Sequence, residues 1–156
     1  MAETFIEAEA AMQLVDRRLE QLRSIAREFP SEKVWQRPDA NMISLGNLIC
    51  HVAGSMRDWF ENGLGQGDWD RDRQHEFDRN GGMDAQALIE HLDDTRERCG
   101  RFLADIDEPT WNAPRAFRNK SFTVRDIMLH QVEHVAYHAG QAAFLRRIVA
   151  GLEPTP

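Results

Sequence analysis

His130, His134 and His138 stand four residues apart in the stretch MLHQVEHVAYHAGQ. Residues four apart on a helix lie one above the other on the same face, so a neighbouring pair presents two ring nitrogens to one ion. With six His among 156 residues, random placement gives roughly 0.008 such triple rows, so composition alone does not account for it. Imidazole is a ligand for zinc, nickel, copper and ferrous iron. All three rings of the row cannot meet at one ion, because His130 and His138 are separated by about 12 Å along a helix axis at 1.5 Å per residue. The pair His134 and His138 reads as ligand, and His130 as a core or supporting residue. A catalytic zinc site typically has three protein ligands and one open position, so a third ligand must come from elsewhere in the chain. His51, His75 and His91 are the remaining candidates. His75 and His91 read most simply as exposed polar residues. Helical position does not separate His51 from His91, which lie at about the same angle off their apolar stripes.

Four helices are predicted to position these groups. The first spans 3–29, where Phe5, Ala8, Met12, Val15, Leu19, Leu22, Ala26 and Phe29 alternate spacings of three and four, the seam of a helix packed along one stripe. Pro30 ends it. Ser44 caps a second helix over 45–62, with Leu45, Leu48, Val52, Met56 and Trp59 as its stripe, and Gly63, Gly65 and Gly67 stop it. A link from Gly63 to Met83 follows, long enough either to cross a bundle or to carry function. Asp84 caps a third helix over 85–106. Thr123 and Asp126 form a capping box that opens a fourth, 124–150, ended by Gly151. Strand signals are few. The expectation is an all-α four-helix bundle with a long crossover connection, one domain over 1–156.

The charge balance is acidic, 26 Asp and Glu against 19 Lys and Arg. A net charge of −7, with no basic stripe, argues against nucleic acid and anionic lipid as partners. No apolar run is long enough to span a bilayer, and the N-terminal stretch lacks the basic start of a signal peptide. Cys50 and Cys99 form neither a CxxC pair nor a disulfide framework and read as reduced, packed thiols of a cytoplasmic protein. The four Trp read as lids and core plugs. Arg57, Arg71 and Arg73 read as solvated charge, with recognition of an anionic substrate as the alternative.

The order helix, His within helix two, long crossover and terminal helix with HxxxHxGQ resembles the DinB/YfiT-like family of metalloenzymes. The segments carrying the resemblance are NLICHVAGSMRDWF (47–60), DWDRDRQHEF (68–77) and HQVEHVAYHAGQAAFLRR (130–147). In that family a bundle holds a divalent metal with one His from helix two and an HxxxH pair from the last helix. The resemblance therefore implies His51, His134 and His138 as metal ligands, with Gly140 and Gln141 matching the trailing Gly-Gln. Ala139 stands where many members carry Arg. It further implies zinc or nickel, with iron and manganese as other acceptable ions, and homodimers.

Characterised members of that family include transferases and isomerases that use a low-molecular-weight thiol. The chemistry suits three neutral ligands, because a cation that keeps its full charge favours a thiolate over the free thiol, whose ordinary pKa is about 8.5. The expected function is a metal-dependent, thiol-dependent transferase acting on a small molecule. Two rivals are a metal-binding bundle without catalysis and a metal-dependent hydrolase. His130-Gln-Val-Glu133-His134 also spells HxxEH, a metalloprotease pattern that would need His130 as ligand and Glu133 as base.

Overall fold

A computed structural model describes residues 5–152. The first two residues of the predicted first helix, and the ends of the expected domain, lie outside them. Six α-helices and one hairpin follow in order: α1 (Ile6–Glu28), α2 (Leu45–Arg57), α3 (Arg73–Asp78), α4 (Ala85–Gly100), α5 (Glu108–Trp111), β1 (Pro114–Phe117), β2 (Lys120–Thr123) and α6 (Val124–Ile148).

The bundle is built by α1, α2, α4 and α6. Each packs on two neighbours, α1 on α6 and α4, α2 on α4 and α6. The seam on α1 is real: Ala8, Met12, Val15, Leu19, Leu22 and Ala26 are all buried. Burying such side chains contributes about 1.5–3 kcal/mol each for the larger ones, which outweighs the weak intrinsic preference of any single helix. Local chemistry sets the helix starts. The Ser44 side chain accepts the Asn47 backbone N–H, Asp84 that of Ala87 and Thr123 that of Asp126, with a reciprocal box at Ser44 and at Thr123. No described helix is long and apolar enough to cross a membrane.

Three features depart from the expected elements. The second helix does not stop before Gly63. Beyond Arg57 it widens into a π-helical segment, Asp58–Leu64, a rare form that re-aims side chains. It brings Asp58, Trp59 and Phe60 inward together. The third helix ends at Gly100 rather than 106, in turns closed by Asp105 at φ 63°, although Leu103 and Ile106 stay buried. The predicted shortage of strands omits a hairpin. β1 and β2 pair antiparallel, Phe117 opposite Lys120, across Arg118 and Asn119, both left-handed (φ 51° and 60°). Two successive left-handed residues match the right-handed twist of the flanking strands. The hairpin sets Phe117 and Phe122 against Trp59 at ring distances of 4.8 and 5.1 Å, sealing one end of the bundle.

Asn47 is one anchor of the crossover between α2 and α4. The Asn47 side-chain amide donates to the carbonyls of Glu76 (3.0 Å), Phe77 (3.2 Å) and Arg79 (2.7 Å). Arg37 also donates to the Phe77 carbonyl. These bonds fix the end of α3 at the first turn of α2, one turn before His51.

Candidate metal centre

The contact between α2 and α6 faces His51 toward the histidine row. His134 Nε2 lies 3.2 Å from His51 Nε2 and 3.2 Å from His138 Nε2. Among the described residues, these three form the only group of His, Cys and acidic side chains close enough to hold one ion. Nitrogens around a tetrahedral zinc, with Zn–N of 2.0–2.1 Å, sit about 3.3 Å apart, so both measured spacings fit that edge.

The tautomers decide what this cluster can do. His51 Nδ1 lies 3.0 Å from a Glu76 carboxylate oxygen, and His138 Nδ1 lies 2.7 Å from Gln141 Oε1. Gln141 Nε2 donates to the Tyr137 hydroxyl, an arrangement compatible with Oε1 as the acceptor for His138. Both acceptors require Nδ1–H, and therefore leave lone pairs on His51 Nε2 and His138 Nε2. Those two lone pairs aim at the third imidazole. A single proton on His134 Nε2 satisfies one of them, whereas a cation between the rings satisfies all three nitrogens. His134 Nδ1 is itself buried without a partner. The donor set thus fits a divalent metal with three neutral ligands.

Burial favours the neutral form of His134 and His138. Burial, reinforced by the neighbouring His138 and His51, pushes the His134 pKa down to about 3. Burial also lowers His138, against the opposing effect of its bond to Gln141.

Sequence reasoning missed the groups behind His51. Glu76 is 8% exposed. Arg71 grips it with two bonds, Nε to Oε1 at 2.7 Å and an Nη2 bond to Oε2 at 2.8 Å. Burial raises the Glu76 pKa, but the hydrogen bonds from His51 and Arg71 win and the net shift is downward. The charge continues outward to Asp58, 3.7 Å from Arg71 and paired also with Arg118. Arg71 is therefore a buried structural cation and not solvated charge. Arg57 is half-buried as well, paired with Glu61 at 2.7 Å and lying 4.1 Å over the Trp69 ring, whereas Arg73 is exposed as expected, its guanidinium 4.9 Å above the Phe77 ring.

The close approach of Glu76 needs a helix position without a side chain. A Cβ on Gly54 would come 2.0 Å from Glu76 Oε1. Gly54→Ala is expected to lower stability by about 1–2 kcal/mol despite the better helix propensity of alanine, as read by urea denaturation. An unchanged or higher midpoint would show that Glu76 is free to move.

The other histidines lie apart. His130 packs on Trp59, ring centroids 4.3 Å apart and tilted by 43°, beneath the hairpin. Glu133 is exposed. The ligand and base of the HxxEH pattern are thus directed away from the cluster. His75 is exposed as predicted. His91 is half-buried rather than exposed and shares a separate cavity of about 260 Å³ with Cys50 and the far side of Glu76. Both cysteines are buried. Burial raises the Cys50 thiol and takes Cys99 up to about 12.

The three-histidine cluster opens on a cavity of about 730 Å³, walled by α6 on one side and by Met42, Ile43 and Phe77 on the other. A volume of this order suits a small-molecule ligand.

Solved structures share this architecture. A DinB-like protein from Bacillus cereus superposes with a TM-score of 0.75 at 16% identity, covering 95% of this chain and 96% of that one. A conserved protein from Enterococcus faecalis gives 0.73 at 17% identity over 97% and 99%. A DinB-like protein from Bacillus subtilis gives 0.67 at 17% over 92% and 95%. The fold is accordingly DinB-like. The sequence profile of the family described as mycothiol-S-transferase matches residues 11–151, and the chain belongs to that family. No curated protein sequence matches it.

Proposed function

We propose that this protein is a thiol-dependent S-transferase, acting as a single domain, with a divalent cation held by His51, His134 and His138. Zinc and nickel are the favoured ions, and mycothiol is the favoured cosubstrate on the strength of the family. The observation that carries the reading is the convergence of two lone pairs, fixed by Glu76 and Gln141, on the third, half-buried imidazole at 3.2 Å. A cation held there supplies positive charge that favours the thiolate, the nucleophilic form, near neutral pH.

The chain's own residues set the rest. Neither Cys50 nor Cys99 can serve as nucleophile, since both are buried with raised pKa values, so the attacking sulfur must be brought in by a second molecule. A cavity lined by His51, His134 and His138 has room for that molecule. In a transfer to an aryl chloride the sulfur forms a C–S bond, the C–Cl bond breaks with its electron pair leaving as chloride, and the thiol proton passes to buffer. Glu76 orients His51 and holds its tautomer, and Gln141 does so for His138.

Incubating zinc-loaded protein with mycothiol or glutathione and 1-chloro-2,4-dinitrobenzene tests this, alongside the absorption of the cobalt-substituted protein. Thiol-dependent release of chloride and a cobalt spectrum that shifts on adding thiol are expected. Absence of both would overturn the reading. The open cavity favours an enzyme over a bundle that merely stores a metal, whose site would be enclosed.

Glu76→Gln is expected to weaken zinc affinity about tenfold, since the partners that orient a metal-bound imidazole typically contribute 10–100-fold. The amide retains shape and an acceptor oxygen, which places the effect at the low end. Competition against a chelator of known affinity measures it.

A further inference from the structure

Beyond the three-histidine cluster, the cavity continues along α6. From His138 to Ile148 the helix advances about 15 Å at 1.5 Å per residue, and cavity-lining residues recur along that length. Besides Asn41 and Arg73, its polar lining groups are the three histidines, Tyr137 and Gln141 at the inner end. There Gln141 is already spent on His138 and Tyr137. Apart from Asn41, the outer end is apolar. Phe144, Leu145 and Ile148 of α6 face the space from one side, Met42 and Ile43 of the segment before α2 from the other. Three of these five are large side chains left in water, Phe144 at 67%, Ile148 at 57% and Met42 at 44% exposure. Exposed apolar groups gathered around a concave site mark a ligand surface more often than chance scatter does.

We infer that this outer trough is the subsite for the apolar body, alkyl chain or aryl ring, of the second substrate, the electrophile. Calling that ligand an electrophile rests on the thiol-transfer reading above; the existence of an apolar subsite does not. The geometry favours a small molecule over a second copy of the chain as occupant. The trough is continuous with the imidazole cluster and shares buried Leu48 as lining, a recess reached by a slender chain. A ligand lying in the trough has its polar end beside His51 and His138, where a thiol sulfur would attack.

Calorimetric titration of the full chain, zinc-loaded and chelator-treated, with butan-1-ol, hexan-1-ol and octan-1-ol tests the subsite with probes that do not react. Affinity should rise about threefold to fourfold per added methylene, the increment of transferring one CH₂ out of water, in both forms of the protein. Phe144→Asn and Ile148→Asn should flatten that dependence while zinc affinity stays within about twofold, since neither residue touches the imidazoles. Affinity independent of chain length, or a dependence that survives both substitutions, would overturn the proposal. So would a wild-type dimer in sedimentation that Phe144→Asn converts to monomer with no alcohol bound by either form, an outcome that assigns the face to a second copy. If chain-length dependence persists but thiol transfer is absent, the subsite stands and only the electrophile assignment falls.

Discussion

Replacing His51, His134 or His138 by alanine, one at a time, should lower affinity for zinc or cobalt by at least about a hundredfold, while His130→Ala leaves it within about threefold. Loss of a group that only orients a ligand typically costs 10–100-fold, and loss of a ligand itself should cost more. The three rings contribute equally in kind, because each places Nε2 in the shared space. His130 shares the spacing of the row but not its direction, being packed on Trp59. The experiment is a chelator competition on purified variants, with the cobalt absorption spectrum as a second readout. A His138→Ala variant that keeps its affinity while His130→Ala loses it would transfer the site to the HxxEH pair and defeat the assignment. Retained affinity in His51→Ala would remove α2 from the site altogether.

How much of this was legible beforehand depends on the range of each interaction. The four bundle helices were, because a stripe such as Val15, Leu19 and Leu22 repeats locally at the helical period and because Ser44, Asp84 and Thr123 cap through bonds only three residues long. The pairing of His134 with His138 was legible for the same reason. The choice of His51 over His91 was not a matter of periodicity, since both lie at the flank of a stripe. What brings His51 rather than His91 beside His134 is that α6 packs on α2. Glu76 and Arg71 were hidden in a charged link whose composition looks solvated. Their burial follows from Asn47, a cap residue whose amide also reaches carbonyls 29 to 32 positions away, and from Gly54, whose missing side chain makes the room. The hairpin was hidden because each strand has four residues and its turn is Arg118-Asn119 rather than the Asn-Gly that announces such turns.

Metal-free protein should lose stability steeply as pH falls from about 6.5 toward 3. The His134 imidazole is held, chiefly by burial, from its ordinary 6.5 down to about 3. Through that window the unfolded chain takes a proton that the folded one refuses. The unfolded state then binds more protons, so stability is fully present above pH 6.5 and declines progressively toward pH 3. At pH 4.5 the difference for this one group is about 2–3 kcal/mol, at 1.36 kcal/mol per pH unit, or roughly 5–10 °C in melting temperature for a domain of this size. His138, His130 and His91 are lowered as well, each mainly by burial, and act in the same direction. Glu76 adds to the loss at lower pH: its folded pKa is depressed below 4.5, so its contribution is present above that value and disappears as the pH falls through the folded pKa. Thermal unfolding in chelator at pH 7.5 and 4.5 measures the sum, and His134→Gln isolates the main part by removing the group that titrates. If wild type and His134→Gln lose the same number of degrees between the two pH values, the imidazole is not held neutral by its surroundings. The same test bears on the metal site, because the burial that makes protonation of His134 unfavourable is what keeps its nitrogen available to a cation in mildly acidic solution.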